Sequence, residues 1–214
     1  MTLRLHRGGI LRRWIGARLG GGFELGDRVL RRALHVAGAG ALVYYLLPDP
    51  LLRGVSNAEL LLALLAGLLA LEAARLLARL EVPTLRAGEE GRVASYAYFA
   101  VAIVIALLLF PRPIAAVAIA GTALVDPLLG ELREWRPGVG PVRLLPWAVY
   151  VGLAVGLLRL LTAWPLAEIL PLAVAAAAVA IAAELPKMRY LDDDLLMTLA
   201  PAVFLALAVA YGPG

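Results

Sequence analysis

The sequence predicts an all-α fold: a polytopic helical membrane bundle of about seven transmembrane helices with a cytoplasmic N-terminus. Three observations carry this reading. Of 214 residues, 62% are hydrophobic and only 17% are charged, whereas soluble domains are closer to half apolar and a quarter charged. The charges are clumped, leaving uncharged runs at Val93–Phe110, Leu144–Leu158, Ile169–Ala183 and Leu195–Gly214. Several of these approach the roughly 20 residues that cross a hydrocarbon core. The basic residues are also distributed unevenly between alternate connections, as transmembrane topology requires.

Taken in order, residues 1–32 form a basic interfacial segment holding eight arginines from Arg4 to Arg32. Glycines interrupt it and no compact apolar region follows, so it is not a cleavable signal. An anionic membrane surface accounts for the arginines more simply than nucleic acid does. A single transmembrane domain, 33–214, comprises hydrophobic segments at about 33–48, 57–80, 93–110, 113–130, 144–162, 165–185 and 195–211. Pro48-Asp49-Pro50, Pro111-Arg112-Pro113, Pro137-Gly138 and Ala163-Trp164-Pro165 supply turn chemistry at the breaks. The last is so short that the fifth and sixth segments also read as one irregular unit.

With the N-terminus inside, 17 of the 20 basic residues fall on the cytoplasmic side; Arg53, Arg112 and Arg159 are outside. The C-terminus is then external. Of the 16 acidic residues, all but Asp49, Glu59 and Glu168 share the cytoplasmic side. Acidic residues do not set topology, so their gathering calls for a separate cause, and cytoplasmic nucleotides and metal ions supply one. The chain has no cysteine and two histidines, which excludes disulfide and thiol chemistry and argues against structural zinc.

Four groups of residues can carry chemistry. Glu72, Arg75 and Arg79 lie on one helical face. They either turn toward a bundle interior or form an internal Glu72–Arg75 pair with Arg79 extended to the interface. Asp126 precedes Pro127, which biases it away from helical geometry and predicts the end of the fourth helix. Gly121 and Thr122 lie a turn earlier and Gly130 just beyond. A carboxylate there suits Mg²⁺, which takes one or two carboxylates plus phosphates and water; an ordinary helix-ending turn is the plainer alternative. Glu184 closes the sixth segment, Pro186 blocks its continuation, and Asp192, Asp193 and Asp194 open the seventh. One aspartate suffices to cap a helix, and successive positions diverge by about 100°. One therefore caps while another is available to a metal, unless the stretch is a solvated acidic turn. His35, a turn after Arg31, can contact phosphate, act as a base or simply sit at headgroup level. Gly38 and Gly40 beside it allow close helix packing. Ser95, Tyr96 and Tyr98 read as an interfacial belt. No Walker, Gly-x-Ser-x-Gly or Rossmann pattern occurs.

"RRALHVAGAGAL", "GTALVDPLLGEL" and "ELPKMRYLDDDLLMTLAP" together resemble the dolichol kinase and phytol kinase family and its relatives among CTP-using lipid enzymes. The first is similar to the family's Arg-Lys-x-x-His segment. The second matches its Gly-Asp-Pro-type segment at Asp126, Pro127 and Gly130. The third matches its acidic stretch at Glu184, Asp192 and Asp193, with Asp194 in place of Asn. Where the family carries Lys-Ser and Glu-Gly-Ser, this chain reads "RPGVGPVRLLPW", leaving Gly138, Gly140 and Arg143 as partial substitutes. The resemblance implies a kinase at the inner (plasma) membrane, with CTP and Mg²⁺ at the cytoplasmic face and a long-chain lipid alcohol arriving from the bilayer. It implies metal ligation by Asp126 with one or more of Asp192, Asp193 and Asp194, and catalytic roles for Asp126 and Glu184. Phosphate contacts then fall to Arg31, His35, Arg75, Gly121, Thr122, Gly130 and Arg143. The partners are membrane lipids, a nucleoside triphosphate and no nucleic acid, and homo-oligomerisation is left open. Two alternatives stand beside this: a cytidylyltransferase making a CDP-lipid, and a non-catalytic lipid-binding or transport protein on the same fold.

Overall fold

A computed structural model describes residues 22–52, 54–80, 91–135, 143–185 and 192–211, and among them every regular element is helical. The chain runs through α1 (Gly22–Ala37), a 3₁₀ segment (Gly38–Leu46), α2 (Asn57–Ala78), α3 (Ser95–Leu109), α4 (Arg112–Trp135), α5 (Leu144–Leu161), α6 (Leu166–Ala183) and α7 (Asp193–Tyr211). Five of these, α2 and α4–α7, are long and apolar enough to cross a membrane; α3 is equally apolar but shorter, at 15 residues. The basic stretch 1–21, Gly138, Gly140 and Pro186 lie outside the described residues.

Helix α4 is the axis of the bundle. It packs against α5 and α7, and also against α1, the 3₁₀ segment and α3, while α7 lies among α3, α4 and α6. Small side chains make this closeness possible: Ala115, Ala118 and Ala123 of α4 and Ala173, Ala176, Ala177 and Ala180 of α6 are fully buried. Where lipid is as apolar as leucine, such close backbone approach, rather than hydrophobic exclusion, drives helix association. Gly121 is the tightest point, since a Cβ there would fall 2.3 Å from the ring of the fully buried Tyr150 on α5.

Two expectations need correction. Asp126-Pro127 does not end the fourth helix; α4 continues through Pro127 to Trp135. Proline removes one N–H and crowds the preceding turn, but packing on both sides of α4 holds the helix through it. The first hydrophobic segment is not one α-helix beginning at 33 either. Helix α1 begins at Gly22, ends at Ala37, and continues as nine residues of 3₁₀ helix. Within that segment exposure repeats every third residue: Gly40, Val43 and Leu46 face outward while the two other rows lie half-buried, as expected where side chains at i and i+3 eclipse.

Thr162 closes α5 by donating its hydroxyl to the Leu158 carbonyl at 2.7 Å. Four residues later the chain re-enters as α6, so the fifth and sixth segments are separate helices. At the same end Asn57 knots the connection before α2. Its Oδ1 accepts from Leu51 N at 3.1 Å, its Nδ2 donates to Pro48 O at 3.0 Å, and its own N–H donates to Asp49 Oδ1 at 2.9 Å.

Helix α1 is amphipathic with its polar side inward. Arg31, Arg32 and His35 are half-buried, whereas Val29, Leu30, Leu34 and Val36 are exposed. This is the pattern of a helix with lipid outside and charged groups inside.

Candidate active site

The polar end of the bundle gathers the C-terminal halves of α2, α4 and α6 with the N-termini of α3 and α7, and α1 lies across it. Three side chains from three helices converge there. His35 Nε2 of α1 stands 3.8 Å from Asp126 Oδ2 of α4 and 3.9 Å from Asp194 Oδ1 of α7. One donor atom from each lies within 4.8 Å of the other two, a spacing that can hold a metal ion. Asp194 is 1% exposed, and the other two are partly buried. Packing fixes the imidazole: it stacks on Phe99 of α3 with ring centroids 4.2 Å apart and planes 6° from parallel. Phe99 in turn occupies the space left by Gly38, where a Cβ would fall 2.4 Å from its ring.

The three aspartates divide their work. Asp192 caps α7: its Oδ1 accepts from Asp194 N at 3.1 Å, and its Oδ2 accepts from Ser95 Oγ at 2.8 Å. Asp194 then points inward to His35 and Asp126, and Thr198 donates its hydroxyl to the Asp194 carbonyl at 2.8 Å. Asp193 is partly exposed and joins Asp192 and Asp194 in a second, overlapping group of carboxylates.

Glu184, 1% exposed, is engaged by Arg133, which ties the end of α6 to α4. It is held in that pair and is absent from the His35 cluster. Arg75 is likewise committed. It grips Glu72 with two contacts of 2.7 Å and donates to Arg92 O at 2.6 Å, while Ala94 N and the Tyr96 hydroxyl also donate to Glu72. Of the two readings of Glu72, Arg75 and Arg79, the buried pair is the one found; Arg79 terminates α2 in a left-handed conformation. Among the described residues Arg75 Nη1 has no hydrogen-bond partner.

Gly121 serves the α4–α5 contact, Thr122 is fully buried one turn below Asp126, and Arg143 is exposed at the start of α5. Arg31 is half-buried on α1. Its neighbour Arg32 pairs with Glu131, with its guanidinium 4.0 Å from where a Gly130 Cβ would stand. The Arg32–Glu131 pair, Phe99 and the role of Ser95 were not anticipated from sequence. The i, i+3 spacing of Arg32 and His35 was the available signal for the first. Nothing local marks the other two.

An oxygen-rich pair of carboxylates from separate helices suits Mg²⁺, which seldom takes more than two protein carboxylates. The imidazole suits it less well and is better read as a proton acceptor or phosphate contact. Comparison of the chain with protein-family models, curated proteins and solved structures finds no match, so the functional reading rests on these residues.

Proposed function

We propose that the protein is an integral-membrane lipid-alcohol kinase, acting on a polyprenol- or phytol-like alcohol with CTP as donor and Mg²⁺ at the cytoplasmic face. The proposal includes seven spans with the N-terminus inside, supported by the basic-residue asymmetry. The observation that carries it is the convergence of Asp126 and Asp194, 68 positions apart in sequence, on one imidazole at the polar end of an otherwise apolar bundle.

Phosphoryl transfer demands positioning and charge neutralisation rather than elaborate covalent chemistry. Asp126 and Asp194 would hold the magnesium ion, which neutralises charge on the triphosphate when bound. His35, oriented by Phe99, accepts the proton as the alcohol oxygen bonds to the γ-phosphorus; the bond to the bridging oxygen breaks and CDP leaves. Asp192 and Ser95 keep the start of α7 in place, so that Asp194 stays inside the cluster. Arg32 and the remaining N–H of Arg75 are the nearby cationic donors available to phosphate. Glu184, held by Arg133, positions α6 against α4 in this account.

The test is transfer of labelled γ-phosphate from CTP to prenol, phytol or diacylglycerol by the purified protein with Mg²⁺. Formation of CDP and a lipid phosphate is expected, with Asp126→Asn reducing turnover by about 10²- to 10⁴-fold while the protein stays folded. No labelled lipid with any of the three, or full activity in Asp126→Asn, defeats the proposal. Release of pyrophosphate instead identifies cytidylyl transfer to a lipid phosphate.

A further inference from the structure

Two hydroxyls in the middle of the bundle are left over by the packing. Tyr150 of α5 and Thr122 of α4 are both fully buried, and among the described residues neither Tyr150 Oη nor Thr122 Oγ1 has a hydrogen-bond partner. Buried polar groups are nearly always satisfied, because leaving one bare forfeits its hydration without return. In a membrane interior no bulk water is at hand to make up the loss. The two also lie close together. The Cζ that bears the Tyr150 hydroxyl would stand 2.6 Å from a Cβ on Gly121, the residue immediately before Thr122. Thr122 is four residues before Asp126, hence on the same face of α4 and about 6 Å deeper. Glycine at 121 is what lets the phenol ring reach this level.

We infer that Thr122 and Tyr150 line a polar subsite one helical turn below Asp126 that receives the oxygen-bearing head of a lipid alcohol. This rests on the kinase reading and adds to it the residues that recognise the acceptor. Each hydroxyl can both donate and accept, so the pair matches an alcohol, which does the same. The carboxylates and histidine above are matched instead to cation and phosphate. An acceptor held here lies with its chain among apolar helices and its oxygen directed toward Asp126 and His35.

The test uses the purified full chain and two probes, phytol and the hydrocarbon of the same skeleton without oxygen. Phytol is expected to raise the thermal unfolding temperature more than the hydrocarbon does, without any nucleotide present. Tyr150→Phe and Thr122→Val, which keep ring and shape, should each erase that difference. In turnover each should raise KM for the alcohol about 5- to 20-fold while leaving KM for CTP unchanged. Equal stabilisation of the unaltered protein by both probes overturns the inference. So does a Tyr150→Phe variant that becomes more stable yet keeps its selectivity for phytol, since the hydroxyl is then merely unsatisfied or held by an ordered water. The two proposals fail separately. Selective phytol binding without phosphorylation leaves the subsite standing and removes the kinase; phosphorylation with an unchanged alcohol KM in both variants does the reverse.

Discussion

Removing the Glu72 carboxylate should unlatch α2 from the rest of the bundle. Only 3% of Glu72 and 4% of Arg75 is exposed, and Glu72 accepts two contacts from Arg75, one from Ala94 N and one from the Tyr96 hydroxyl. Summing those at about 1.5–3 kcal/mol each for bonds to a charged group overshoots, because the unfolded chain in micelles also finds partners. The governing quantity is the cost of leaving Arg75 charged and buried without its carboxylate, about 3–5 kcal/mol. Glu72→Ala should therefore lose about that much stability in equilibrium unfolding of purified protein in mixed micelles, followed by tryptophan fluorescence. The double variant Glu72→Leu with Arg75→Met removes both charges and fills similar volume, so it should recover to within about 1 kcal/mol of the original. A loss below about 1 kcal/mol for Glu72→Ala would show that water reaches the pair. A double variant as weak as the single would show that the backbone contacts, rather than the charge, hold the latch. If instead Arg75→Met leaves stability intact and only raises KM for nucleotide, its principal partner is phosphate and the latch is incidental.

Gly38→Ala should displace Phe99 and with it His35. Turnover is expected to fall at least tenfold with a stability loss of about 1–3 kcal/mol from overpacking, and unchanged activity would sever the proposed link between Phe99 and the imidazole. Ser95→Ala removes the hydroxyl that holds the Asp192 cap, a loss of about 0.5–1.5 kcal/mol; a melting point within error of the original would mean that the contact contributes nothing. Asp194→Asn should abolish the rise in melting temperature that Mg²⁺ produces in the unaltered protein, and persistence of that rise would place the ion elsewhere.

The helix limits were legible where proline and glycine punctuate the chain. The expected segments 144–162 and 165–185 differ by one or two residues at each end from Leu144–Leu161 and Leu166–Ala183, because Thr162 and Pro165 carry local stop and start chemistry. The same logic misled at Pro127, where neighbours on both sides of α4 outweigh a local preference that sequence reading weighs by itself. The 3₁₀ segment was invisible because "GAGALVYYL" has no composition that separates 3₁₀ from α-helix. In the site, Asp126, His35 and Asp194 stood out because charge in an apolar chain is conspicuous. Ser95 and Phe99 did not: serine and phenylalanine at a helix start are commonplace, and Ser95 gains its meaning from a residue 97 positions away. Glu184 and Arg75 were conspicuous for the same reason as Asp126, yet both are occupied by partners that spacing alone does not reveal for Glu184 and only suggests for Arg75.

The threefold repeat of Gly38–Leu46 has a consequence for how this stretch tolerates change in length. In an α-helix the apolar stripe drifts around the axis, so an added residue is absorbed by a partial rotation. Here the rows run straight, and one insertion turns everything beyond it by about 120°. Tyr44 or Tyr45 would exchange places wholesale with the lipid-facing Val43 row, with no intermediate setting. This short rod therefore behaves as a keyed spacer between His35 and the far side of the bilayer, open to substitution along its outer row but closed to any insertion or deletion other than a multiple of three.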